Sequence, residues 1–291
     1  MAKASLHDHI RNREFMEGVD FGNLIRTVSK RLGENGIWGI VDWGDGRAER
    51  CFDGIKRAFP NETVELRGGS VFQVHPYKLW IVKGQEVPTK LNGNEVHVIS
   101  LGIPQHKTLP AHEPIAELLK KAYETYGSIQ NFDHPAGPRA GIIDAFGKDI
   151  ETAHELLSLK GVNGWEVYNV LSASAPTLAN FLSWAQRRLD LTNARSLKFY
   201  EDNIRRYHPA VGLTEGTDGH HVWESARAYF NVDINLEEPP ETSREFIELL
   251  RSGIAGNKTY SGRCVTSFRG CAQHSAVIAW DHRIKPALGM R

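Results

Sequence analysis

The sequence predicts an α/β fold: a parallel barrel whose strands alternate with helices. Three observations carry that expectation. Short apolar runs alternate with amphipathic ones along the whole chain, the pattern of strands joined by crossover helices. The number of such units, roughly seven, favours a closed barrel over an open sheet. No internal repeat or low-complexity segment interrupts the pattern, and 291 residues can bury one large core. The expectation is one domain over residues 1–291. The stretch after EEPPET, residues 238–291, would be a helix-and-strand extension of that same domain.

The elements follow in order. Residues 3–9 read as a short strand. Phe21, Leu24, Ile25, Val28 and Leu32 then recur at helical spacing, and Gly33 and Gly36 offer a stop. IWGIVDW (37–43) reads as a buried strand, followed by a helical RAERCFDGIKRAF. LWIVKGQEV (79–87) and EVHVISLG (95–102) read as consecutive strands separated by a turn at Asn92-Gly93. A helix over 112–126 leads into the strand IQNFDHP, ended by Pro135. Residues 149–160 read as helix, 163–169 as strand and 176–190 as helix. VGLTEGTDGHH (211–221) is a strand running into a polar turn, 243–252 a final helix and SAVIAW a terminal strand.

Composition excludes several function classes. Lys and Arg total 35 against 35 Asp and Glu, which argues against a non-specific nucleic-acid or membrane-surface binder. No apolar run approaches the roughly 18 residues needed to span a bilayer, and MAKASLHDH has no apolar signal region. Three Cys, at 51, 264 and 271, are too few for a disulfide framework or a thiolate zinc site, so a cytoplasmic protein is expected. The 13 His are the unusual feature.

Several of them fall at strand ends. His7 and His9 are two residues apart, so on a strand both imidazoles share one face while Asp8 takes the other. Glu86 sits in a strand, where a carboxylate needs a partner or a metal. His97 lies between Val96 and Val98, His134 ends IQNFDHP, and Asp218 and His220 form a DxH pair. In a parallel barrel the C-terminal strand ends open onto one face, so these groups can converge. Imidazole and carboxylate without thiolate suit Zn²⁺, Mn²⁺ or Fe²⁺.

The pieces LHDH (6–9), KGQEV (83–87), EVHVISLG (95–102), NFDHP (131–135), WEVYN (165–169) and TEGTDGHH (214–221) occur in the order of the PHP (polymerase and histidinol phosphatase) family, which the chain resembles over about residues 6–221. The resemblance implies a distorted (β/α)7 TIM-like barrel with a metal cluster at the C-terminal face of the strands. It also implies hydrolysis of phosphate esters, with Glu86, Asp218 and His220 as the expected catalytic positions. Position by position, His7 and His9 would hold one ion with Glu86 and Asp218. Glu86 would bridge to a second ion held by His97 and His134, and His220 would hold a third if one binds. Glu166 is expected to be structural.

This sequence departs from the family pattern at Asp42-Trp43, where the family has Asp-His and the His is a ligand; indole cannot be one. The reading is therefore a two-metal centre, with Asp42 or Asp45 as compensating candidates for the third site. Trp43 is either a packed aromatic above the barrel or a platform for part of the substrate. Glu14, with Asp20 as its rival, is the expected carboxylate ligand after the HxH pair.

Two bridged divalent ions would activate a water and clamp the attacking and leaving oxygens. Arg11 and Arg139 (with Arg13) are the expected phosphate-binding groups, and His221 a candidate proton donor. A small phosphorylated substrate is the expected partner, and the neutral charge argues against a long nucleic-acid track. Two other functions fit the motifs: an amidohydrolase-type hydrolase, which would need a bridging Lys such as Lys83, and a non-catalytic metal-binding barrel.

Overall fold

The computed structural model describes residues 1–10, 19–137, 141–147, 149–169, 193–218 and 225–258. A strand β1 (Ala2–His9) opens the chain, followed by α1 (Phe21–Leu32), β2 (Ile37–Asp42) and α2 (Arg47–Ala58). Two short strands, β3 (Thr63–Glu65) and β4 (Val71–Val74), precede the long β5 (Leu79–Leu91) and β6 (Asn94–Leu101). Then come α3 (Ile115–Tyr126), β7 (Ile129–Phe132), α4 (Ile142–Phe146), α5 (Ile150–Leu157) and β8 (Val162–Asn169). A helical stretch over 193–199 passes into a π turn at Tyr200–Ile204. The described chain ends with β9 (Gly212–Gly216), β10 (Phe230–Val232) and α6 (Ser243–Gly256).

Around the sheet the order is β10-β1-β2-β5-β6-β7-β8-β9, with β3 and β4 attached beside β5. The exit of β9 returns to β1: the Asp218 N–H donates to His7 O at 2.7 Å, and the Ser5 and Thr217 hydroxyls lie 3.3 Å apart. The sheet is thereby a nearly closed TIM-like barrel, as expected.

The expected all-parallel arrangement needs correction. β6 runs antiparallel to both β5 and β7. The cause is local: a parallel partner needs a crossover of about a dozen residues, and only Asn92-Gly93 separates β5 from β6. Both turn residues have positive φ, 50° and 80°, as a two-residue hairpin requires. His97 therefore reaches the C-terminal face of the barrel from near the start of its strand, not the end.

Side-chain caps begin several of the helices. Asp20 caps α1 by accepting from Asn23 N, and α6 begins with a full capping box between Thr242 and Glu245. The apolar faces of α1 and α2 pack on one flank of the sheet around Trp38, Phe52 and Phe72. Phe246, Ile247, Leu250 and Ile254 of α6 cover another flank together with Trp80, Ile99 and Phe230. α4, the β3–β4 hairpin and β10 were not expected from the sequence. The segments expected as helix 176–190 and strand SAVIAW lie outside the described residues. No helix among the described residues is long and apolar enough to cross a membrane.

Candidate metal centre

At one end of the barrel, β1, β5, β6, β7 and the exit of β9 deliver buried carboxylates and buried or half-buried imidazoles to a common centre. His7 and His9 extend from the same face of β1, with Nε2 atoms 3.2 Å apart. Asp218 Oδ1 lies 3.5 Å from His7 Nε2 and 3.9 Å from His9 Nε2. Glu86 sits between two groups of imidazoles. Its Oε2 is 2.8 Å from His9 Nε2, while its Oε1 is 2.5 Å from His97 Nδ1 and 3.8 Å from His134 Nε2. The structure thus brings together six residues singled out from the sequence: His7, His9, Glu86, His97, His134 and Asp218.

Asp133 is a member that sequence reasoning missed. Its Oδ1 is 3.0 Å from His7 Nδ1 and its Oδ2 is 2.9 Å from His134 Nε2. The alternation of a strand would point Asp133 away from the face of His134, which is why NFDHP drew attention only to the His. The alternation breaks because His134 takes positive φ (24°), turning the chain so that both side chains enter the centre. Asp218 is likewise left-handed, with φ 47°. Two non-glycine residues in this sparsely populated region, both in one cluster, mark it as a place where the fold holds its backbone against local preference.

Glu166 supports the cluster from behind. Its Oε1 lies 3.1 Å from His7 Nδ1, and its Oε2 accepts the His134 backbone N–H at 2.9 Å. A Cβ on Gly216 would stand 2.1 Å from Glu166 Oε1 and 2.7 Å from His7 Cβ, so a glycine there gives this carboxylate its room.

The electrostatics are those of interleaved opposite charges. Burial alone would lower the pKa of His7, but Asp133, Asp218 and Glu166 raise it well above the ordinary imidazole value. His134 is raised in the same way by Asp133 and Glu86, and His97 by Glu86. Burial would raise Asp133 and Glu86, yet the facing imidazoles hold both below the ordinary carboxylate range. Glu166 is pushed up to about 7, by burial first and by the neighbouring Asp133.

Do these residues fit divalent cations? Asp133 is 1% exposed, and although each oxygen has an imidazole nitrogen near it, neither is aligned for a hydrogen bond. Among the described residues its negative charge is balanced only by the raised imidazoles of His7 and His134, groups that a divalent cation would engage in place of protons. Donor atoms from Glu86, His97, Asp133 and His134 all lie within 4.8 Å of one another, and so do those of His7, His9 and Asp218. Hard oxygen and imidazole nitrogen donors at this spacing could hold metal ions, so the residues fit.

Other expectations resolve differently. Asp42 lies outside the grouped donor atoms, and its oxygens serve its own turn: Oδ1 accepts from Gly44 N and Oδ2 from Ala48 N, both at 2.8 Å. Asp45 binds Arg47 Nε at 2.7 Å, and Asp20 caps α1. Lys83 points away from Glu86, with Nζ held by Glu49 Oε1 at 2.5 Å and by the carbonyls of Pro104 and Lys107. The bridging lysine of the amidohydrolase reading is therefore lacking at that position. Glu14, His220, His221, Arg11, Arg13 and Arg139 lie outside the described residues.

No family model matches the chain, and no curated protein matches it. Among solved structures, endonuclease Q in complex with a 27-mer duplex substrate, an abasic lesion at its active site, is similar with a TM-score of 0.49 and 12% identity. The match covers 91% of this chain, which spans only 58% of the length of that one. The neighbour is a complex with duplex DNA, which runs against the expectation of a small phosphorylated partner and no long nucleic acid. That expectation is not retained. It rested on the lack of an obvious basic-aromatic stripe and on zero net charge, an average over the surface that is blind to where the charges lie and to any bound cation.

Proposed function

We propose that the protein is a metal-dependent hydrolase of phosphate esters, with nucleic-acid phosphodiesters among its candidate substrates. The observation that carries this reading is the disposition of Glu86, whose two carboxylate oxygens face His9 on one side and His97 and His134 on the other. One carboxylate between two imidazole groups suits two neighbouring cations. The first set would be His7, His9, Asp218 and one oxygen of Glu86; the second would be the other oxygen of Glu86 with His97, Asp133 and His134.

Such ions, when bound, supply Lewis-acid stabilisation of charge on phosphate oxygens and lower the pKa of water. The chain's own residues orient the site. Glu166 and Asp133 face His7 Nδ1, so with a cation bound that nitrogen would keep its proton and Nε2 would be the donor atom on the side of His9 and Asp218. The Glu166 contact to the His134 backbone fixes the left-handed turn that carries two of the donor side chains.

A direct test compares wild type with Glu86→Ala and Asp218→Ala on p-nitrophenyl phosphate, bis-p-nitrophenyl phosphate and single- and double-stranded oligonucleotides after reconstitution with Mn²⁺ or Zn²⁺. Both variants should lose hydrolysis and bound metal while keeping their circular dichroism. Full activity in either variant would defeat the two-metal reading.

A further inference from the structure

The turn between β2 and α2 borders the metal centre and carries a feature that the hydrolytic reading does not use. Asp42 stiffens this turn by accepting the N–H groups of Gly44 and Ala48. Gly44 and Gly46 have φ of 78° and 77°, conformations that only glycine adopts without strain, and between them they fold the chain back sharply. Trp43 is thereby presented at the mouth of the centre, 38% exposed. Its indole N–H donates to Glu86 Oε2, and its ring lies 5.4 Å from the His9 imidazole at an interplanar angle of 50°. The Arg47 guanidinium, steadied by Asp45, stands 5.9 Å from the ring centroid.

A tryptophan tethered through its nitrogen cannot turn its ring inward to escape water. The indole is held at the edge of the candidate reaction centre with a cation beside it. Aromatic rings paired with arginine are the means by which proteins stack unpaired bases next to a phosphate backbone.

We propose that Trp43, with Arg47 beside it, is a stacking subsite for a planar aromatic group carried by the phosphate ester, and that a nucleobase of an unpaired strand is the ligand it fits. The role rests on the phosphoesterase reading. It makes Trp43 a specificity-determining residue, which places the scissile ester over Glu86 by gripping its neighbour.

The test uses full-length protein reconstituted with Mn²⁺ and titrated calorimetrically with adenosine monophosphate, methyl phosphate and a short oligodeoxyadenylate. The readout is the ratio of affinities for the base-bearing ligands over methyl phosphate. In Trp43→Leu this ratio should fall by about 5- to 150-fold. In Trp43→Phe, which also loses the N–H donated to Glu86 but keeps a stacking face, most of the ratio should survive. An unchanged ratio in the leucine variant, or an equal fall in both variants, would overturn the subsite. Tighter binding of the oligodeoxyadenylate than of the monophosphate is the result expected for a strand, and parity would overturn that assignment. Wild-type protein that hydrolyses esters without a ring-dependent ratio overturns the subsite alone. Ring-dependent binding with no hydrolysis of any ester overturns the hydrolase reading and leaves the subsite standing.

Discussion

Asp42 and Asp133 occupy comparable places, each at or just beyond the end of a barrel strand and each buried, yet they are in opposite electrostatic situations. Asp42 has its two oxygens occupied by backbone N–H groups and no imidazole among its hydrogen-bond partners. Burial, with Glu49 and Asp45 nearby, raises its pKa despite those donors. Among the described residues Asp133 has no aligned hydrogen-bond donor, but it faces His134 and His7, which draw its pKa down. The contrast teaches how to separate scaffold from chemistry among buried acids. A carboxylate engaged at both oxygens by its own turn holds the backbone, whereas one facing titratable nitrogens is prepared for an added cation.

The largest expected effect breaks this comparison at its active end. Asp133→Ala should weaken metal binding by more than about 100-fold, above the range that supporting partners usually reach. Competition with a chromophoric chelator measures it. Glu166→Gln should cost less, about 10- to 100-fold in metal affinity, because its contacts are to His7 Nδ1 and the His134 backbone N–H, and the amide oxygen keeps one of them. Asp42→Ala should leave the metal content unchanged and lower stability by about 1–2 kcal/mol, the scale of lost turn and cap hydrogen bonds, read by urea denaturation. If Asp42→Ala strips the metal as thoroughly as Asp133→Ala, the distinction fails.

The pH dependence sharpens the same contrast. Without metal, the lowered Asp133 contributes stability above the ordinary carboxylate value that is lost as pH falls through its folded pKa. The raised His7, His97 and His134 contribute stability below the ordinary imidazole value that is lost as pH rises through theirs. Metal ions compete with protons for the same nitrogens. The rise in melting temperature on adding Mn²⁺ should therefore grow between about pH 6 and pH 8.

The smallest effect concerns a histidine pair outside the cluster. His154 Nδ1 and His208 Nε2 are 2.7 Å apart, and burial together with the neighbouring His154 lowers His208. This pair should contribute stability that is full above about pH 6.5 and declines as pH falls below it, a dependence that His208→Gln removes.

Much of the site was legible because strand geometry is periodic. His7 and His9 share a face for that reason alone, and Glu86 and His97 stand out as polar residues in apolar strands. The Asn92-Gly93 turn is legible too, whereas the alternation of strands and helices elsewhere hides its consequence, an antiparallel β6 in an otherwise largely parallel path. Asp133 was illegible because its orientation depends on a left-handed His134 that no local propensity announces. Asp42 looked like a ligand because a sequence does not show which acids are consumed by their own backbone. The choice between small-molecule and nucleic-acid substrates was drawn from net charge, which carries no information about the arrangement at the mouth of the site.

The central claim, that Glu86 joins two cation sites, is tested most directly by the metal content of protein purified without chelators. Elemental analysis should find about two divalent transition-metal ions per chain in wild type and a clear loss in both Glu86→Ala and Asp133→Ala. Wild-type protein that binds no metal under those conditions, or a Glu86→Ala protein that retains the full complement, would contradict it.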